Sequence, residues 1–118
     1  MSVRGIGVDV VDIERFAVSL ERTPSLRQRL LTPAEAELSI ESMAGRFAAK
    51  EAFVKALRAP AGLSWTDIEV VTDDRGAPSF ELTGPARARV RDLGITALHL
   101  SISHDGPVAT AFVVAEAG

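Results

Sequence analysis

The segment spanning residues 43–57 constrains this chain more than any other. It is rich in alanine and has no proline or β-branched run to oppose a helix. At about 100° per residue, Arg46, Lys50, Phe53 and Leu57 share one stripe. Phe47, Glu51 and Val54 share another, with Lys55 one turn beyond Glu51. Alanines fill much of the remaining circumference, so the helix is apolar almost all round yet holds four charges. Such a helix is usually buried, and buried charges are normally paired or bound to something. One reading satisfies the charges locally, because Glu51 and Lys55 form a favourable i,i+4 pair. The other gives Glu51 to a divalent cation and leaves Arg46, Lys50 and Lys55 for phosphate oxygens. Mg²⁺ suits that arrangement, since it takes one or two carboxylates and completes its shell with water and phosphates.

The remaining elements are short and segregated. Residues 3–10 predict a strand containing Gly5 and Gly7, and interior glycines mark close approach by another backbone or a ligand. Gly5-Ile6-Gly7 is not a dinucleotide fingerprint: the third glycine is missing, and Asp9-Val10 continues the strand where a helix should begin. From Asp12 the spacing of Ile13, Phe16, Ala17 and Leu20 is helical, and Thr23-Pro24 interrupts it before a second short helix carrying Leu26, Leu30 and Leu31. Thr32-Pro33-Ala34-Glu35 has the form of a helix start with a capping box. Ala59-Pro60-Ala61-Gly62 should break the long helix. Residues 67–72 and 79–82 read as strands joined by the turn Asp73-Asp74-Arg75-Gly76. Thr83-Gly84-Pro85 opens a helix that Gly94 stops, and residues 98–104 and 108–115 form strands about Asp105-Gly106. This order predicts a single α+β domain over residues 1–118, with a largely antiparallel sheet packed against the long helix.

Composition narrows the function. The 118 residues contain no cysteine, which removes disulfide scaffolds, thiolate zinc sites and thiol nucleophiles, and fits a reducing cytoplasm. The longest apolar run, residues 111–115, is far below the roughly 20 residues that span a bilayer. Met1-Ser2-Val3-Arg4 leads straight into a strand, with no room for a signal peptide, so a cytoplasmic location is expected. The net charge of −3 is uneven: Arg15, Arg22, Arg27 and Arg29 face only Glu21 across residues 15–31. An acidic chain with one basic stretch suits an acidic partner rather than nucleic acid.

Two further residues stand out. Asp9 ends an apolar strand, where it serves either as a cap for the next helix or as a free carboxylate, with Asp12 competing for the capping role. His104 lies on the strand face of Leu98, Leu100 and Ile102, as a hydrogen-bonded structural residue or a site residue.

Together these segments resemble the holo-acyl carrier protein synthases, the small phosphopantetheinyl transferases of bacterial fatty-acid synthesis. The matching stretches are Gly5-Ile6-Gly7-Val8-Asp9-Val10-Val11-Asp12-Ile13-Glu14-Arg15-Phe16 and Ala44-Gly45-Arg46-Phe47-Ala48-Ala49-Lys50-Glu51-Ala52-Phe53-Val54-Lys55-Ala56-Leu57. Asp67-Ile68-Glu69-Val70, Gly76-Ala77-Pro78 and Leu100-Ser101-Ile102-Ser103-His104 extend the resemblance over nearly the whole chain. It implies the 4′-phosphopantetheinyl transferase fold, assembled as a homotrimer with active sites between subunits. It also implies Mg²⁺-dependent transfer of 4′-phosphopantetheine from coenzyme A to a serine of apo-acyl carrier protein, releasing adenosine 3′,5′-bisphosphate.

By the same resemblance Asp9 and Glu51 match Mg²⁺ ligands, Lys50 and Lys55 basic residues near the diphosphate, and Arg46 a coenzyme A contact. His104, with Ser103 beside it, matches the nucleotide-phosphate contact, and Gly76 and Pro78 a loop meeting the nucleotide from an adjacent subunit. Arg15 matches a carrier-protein contact, and Arg22, Arg27 and Arg29 extend that basic surface. The base for the serine proton is Glu51 itself or a metal-bound water oriented by it. The chain departs from the family at Ala77, where a basic residue is common and Arg75 can compensate, and at residues 58–62, which replace a glycine-rich segment. A non-enzymatic module that binds coenzyme A or a carrier protein is the competing reading.

Overall fold

The computed structural model describes residues 1–59 and 62–118, in the order β1 (Ser2–Asp12), α1 (Ile13–Arg22), α2 (Ser25–Leu30), α3 (Ile40–Leu57), β2 (Ile68–Thr72), β3 (Pro78–Leu82), α4 (Gly84–Asp92), β4 (Ala97–Asp105) and β5 (Val108–Ala117). Single 3₁₀ turns lie at Glu35–Glu37 and Trp65–Asp67. The architecture is α+β, as the segregated pattern predicts. The antiparallel strands form two sheets, however: β1-β5-β4 and the separate hairpin β2-β3.

Period-two alternation along β5 decides where the core lies. Ala109, Ala111, Val113 and Ala115 are buried against α3, while Phe112 faces the other way and is exposed. On α3, Ala44, Ala48, Ala49, Ala52 and Phe53 are fully buried, so the helix is the central pillar that its all-round apolarity predicts. Burying a side chain such as Phe53 or Leu57 stabilises the fold by roughly 1.5–3 kcal/mol.

The two glycines of β1 are packing residues. A Cβ on Gly5 would sit 1.8 Å from the Ala56 carbonyl oxygen, and one on Gly7 would sit 1.8 Å from that of Ala52. Two strand residues advance about 6.7 Å and four helix residues about 6 Å, so the glycines step along β1 nearly in time with the alanines along α3. The next residue on that face of the strand is Asp9, and the close approach therefore carries its carboxylate to the helix.

The capping box forms, with the Thr32 N–H donating to Glu35 Oε1 at 2.9 Å, but the expected helix does not extend beyond one 3₁₀ turn. The Glu35 side chain is drawn inward, where Val70 N–H donates to Oε2 at 2.8 Å, and the backbone is already extended at Leu38. Helix α3 begins instead at Ile40, capped by Ser39, whose Oγ accepts from the Ser42 N–H at 3.2 Å. At its other end α3 stops at Leu57, and Arg58 adopts the left-handed conformation. The break expected across residues 59–62 includes Pro60 and Ala61, which lie outside the described residues.

Candidate active site

Asp9, Glu51 and Lys55 meet where β1 lies on α3. Lys55 Nζ donates to Asp9 Oδ1 and to the Val8 carbonyl, each at 3.0 Å. The Lys55 side chain is 52% exposed and that of Asp9 18%, so the pair sits at the mouth of a site rather than in the core. Helix α1 is capped by Asp12, which accepts from Arg15 N–H at 2.8 Å, and Asp9 is thereby released from capping. Glu51 is partly buried. That burial pushes its pKa up, the neighbouring Asp9 carboxylate pushes it further, and Lys55 pulls it partly back. A Glu51 carboxylate made costlier to ionise by the neighbouring Asp9, with Lys55 partly compensating, suits a hard dication between the two. Among the described residues there is no cluster of three or more metal-ligating side chains, so a metal here would draw its remaining ligands from water or substrate.

Lys50 does not join this site. Its ammonium is fully buried and donates to Glu35 Oε1 at 2.6 Å, the Leu30 carbonyl at 2.7 Å and the Trp65 carbonyl at 3.1 Å. All three N–H bonds are committed, leaving no donor for a diphosphate. Desolvation lowers its pKa, and the bond to Glu35 opposes that shift. Adjacent helix residues point about 100° apart, so Lys50 enters the core while Glu51 reaches the site. Glu35, whose sequence signal was only that of a cap, is the partner that sequence reasoning missed.

A second cleft, of about 160 Å³, brings together Arg46, Gly76, Pro78 and His104 near the start of α3. The loop before β3 is fixed by Asp73, whose Oδ1 accepts from Arg75 N–H at 2.8 Å and Ala77 N–H at 2.9 Å. Gly76 adopts φ +82°, which glycine accommodates without strain. Gly76 and Pro78 thus lie beside Arg46 of the same chain. Arg46 Nε is buried and has no hydrogen-bond partner among the described residues. Ser103 does not line the cleft with His104: alternation turns it to the opposite sheet face, in register with Thr110. Ile102 of the His104 strand also lines the cleft, as do Thr72 and Ser42, which no motif announces.

The basic residues divide. Arg15 lines a pocket of about 230 Å³ together with Asp9 and Phe47, so the start of α1 adjoins the carboxylate site. Arg22 and Arg29 are exposed. Arg27 folds back, its Nη1 donating to the Ala36 carbonyl at 3.1 Å.

A family model described as the 4′-phosphopantetheinyl transferase superfamily matches residues 5–111. The chain belongs to that superfamily. A holo-[acyl-carrier-protein] synthase of Clavibacter michiganensis is 57% identical over 114 residues, covering 97% of this chain and 96% of that protein. Among solved structures of this transferase family, the Helicobacter pylori holo-[acyl-carrier-protein] synthase in complex with coenzyme A superposes with a TM-score of 0.83. It is 35% identical, over 94% of this chain and 99% of that one. The corresponding Bacillus anthracis synthase, in complex with CoA (3′,5′-ADP), gives a TM-score of 0.79 at 36% identity, covering 98% of each. No helix among the described residues of this transferase is long and apolar enough to cross a membrane.

Proposed function

We propose that this chain, as one domain over residues 1–118 acting in the cytoplasm, transfers 4′-phosphopantetheine from coenzyme A to a serine of an acyl carrier protein, serving fatty-acid synthesis. The observation that carries this reading is the meeting of Asp9, Glu51 and Lys55 beside a pocket that opens toward the arginines of α1.

Arg46 and His104 would hold the nucleotide phosphates, helped by the N-terminal end of α3, whose dipole favours anions. Asp9 and Glu51 would hold Mg²⁺, which, when bound, neutralises the diphosphate that otherwise repels an incoming nucleophile. Lys55 sits on the Asp9 side of the same site and offsets charge growing on the departing phosphate. The carrier serine oxygen forms its bond to the phosphorus bearing pantetheine, and the bond to the nucleotide phosphate breaks, releasing adenosine 3′,5′-bisphosphate. Glu51, with its raised pKa, accepts or relays the serine proton. Exposed Arg15, Arg22 and Arg29 give an acidic carrier a complementary surface.

The outer face of the three-stranded sheet supports assembly into a homotrimer. Val3, Ile6, Val8, Val10 and Phe112 are about half exposed or more, along two paired strands. A second copy of the chain is the occupant that the family resemblance implies for that face.

Incubation with apo-acyl carrier protein, coenzyme A and Mg²⁺ should raise the carrier's mass by one phosphopantetheine. Asp9→Asn and Glu51→Gln should abolish the gain while the fold survives. Coenzyme A binding without any transfer, at any metal concentration, would leave the non-enzymatic module as the answer.

A further inference from the structure

Arg4, Arg58 and Arg89 converge on a cavity of about 270 Å³ at the C-terminal end of α3, with Leu57, Leu93 and Ile95 among its other walls. It shares no residue with the pocket at Asp9 or the cleft at Arg46 and His104. Arg58 follows Glu51 by seven residues, about 10 Å along the helix axis. Among the described residues no carboxylate lines the cavity and none of these arginines is in an ion pair.

One observation sets it apart from a chance gathering of surface arginines. Arg89 Nε is shut off from solvent with no acceptor among the described residues, and its Nη2 reaches the Arg58 carbonyl only at 3.4 Å, the long limit of a hydrogen bond. Arg58 itself is the C-cap of α3, in the left-handed conformation (φ 48°) that commonly ends a helix. A helix C-terminus attracts cations, which accounts for one guanidinium near the last carbonyls. Three around one space repel each other, and an oxyanion between them offsets that repulsion.

We propose that this cavity is a second anion site that takes the phosphate of a small ester, with the ester's short apolar arm along Leu57, Leu93 and Ile95. The volume exceeds what a lone phosphate needs, and the aliphatic walls suit carbon rather than more charge.

The full-length protein is titrated with inorganic phosphate and with propyl phosphate at constant ionic strength, observed by amide NMR. Saturable shifts of Leu57, Arg58, Arg89 and Ile95, tighter for propyl phosphate, are the expected result. Arg4→Gln and Arg89→Gln should each weaken binding about tenfold, the loss of one charge-assisted hydrogen bond, without slowing phosphopantetheine transfer. Arg4 is exposed, so its variant reads the site even if Arg89→Gln fails to fold. Shifts confined to the Arg46 and His104 cleft, or equal shifts with chloride, would overturn the proposal. So would the same shifts on concentrating the protein without phosphate, which would assign the cavity to a second copy of the chain.

Discussion

Replacing Lys50 with methionine separates a buried clamp from a phosphate ligand. Lys50 and Glu35 are both essentially inaccessible, at 0% and 1% side-chain exposure, and 2.6 Å apart. Removing the ammonium leaves Glu35 with two backbone donors, Thr32 N–H and Val70 N–H, but no counter-charge. It also strips the Leu30 and Trp65 carbonyls of their lysine donor. Breaking a buried pair by deleting one partner costs about 3–5 kcal/mol. For a chain of this size each kcal/mol lowers Tm by roughly 4 °C, so Lys50→Met should melt some 12–20 °C below the parent. Melting is followed by circular dichroism at one fixed protein concentration, because assembly adds to apparent stability. Lys50→Met/Glu35→Gln should recover part of the loss, since the second change removes the stranded charge, giving a coupling energy of about 1–3 kcal/mol. Any folded Lys50→Met should bind coenzyme A with near-parental affinity. A variant with parental Tm and coenzyme A binding weakened tenfold would refute this reasoning and return Lys50 to the diphosphate.

Lys55→Met should behave in the opposite way: its ion pair is half exposed, so stability should shift by under about 1 kcal/mol, while transfer falls about 100-fold or more in a mass-based assay. Gly7→Ala should cost about 3 kcal/mol or more, measured by urea unfolding, because the new Cβ meets the Ala52 backbone with no side chain to yield. In the metal-free protein, carboxyl NMR should place the Glu51 pKa above that of an ordinary glutamate. Asp9→Asn should lower it only part-way, since burial is the larger cause, and Lys55→Met should raise it. A raised native pKa makes ionised Glu51 a burden that grows as pH climbs from the unfolded pKa through the folded one. Glu51→Gln should therefore be more stable than the parent at neutral pH in urea unfolding, with the advantage disappearing in acid.

Elements with strong local periodicity were legible in the sequence; residues that depend on tertiary direction were not. The alanine-rich run over 43–57 placed α3 within a few residues, because nothing local opposed a helix. The tract after Thr32 misled for the opposite reason. Its capping box is real, but Glu35 gains more by closing a buried network with Lys50, Thr32 and Val70 than by starting a helix. A sequence shows that Glu35 can cap; it does not show that a lysine 15 residues later will arrive above it. Ser103 and His104 differ from this: strand alternation in the sequence already sets the serines opposite His104, as the structure shows.

Lys50 and Glu51 carry the same lesson into function. Both are charged residues on an apolar helix, and pattern alone assigns both to a ligand. The turn of the helix gives them different work: Lys50 ties α3 to the ends of α2 and the second 3₁₀ turn, while Glu51 faces Asp9. The clamp matters to the site because β1 rests on α3 through two glycines with no side chains between the backbones. A slip of α3 by one residue would bring a side chain into that contact and carry Glu51 away from Asp9. Rigid placement of two carboxylates against their mutual repulsion needs a support that does not itself move, and a buried ion pair bonded to the backbone of Leu30, Thr32, Trp65 and Val70 supplies one. The helix therefore carries core and chemistry on adjacent residues, and its all-round burial is what allows both.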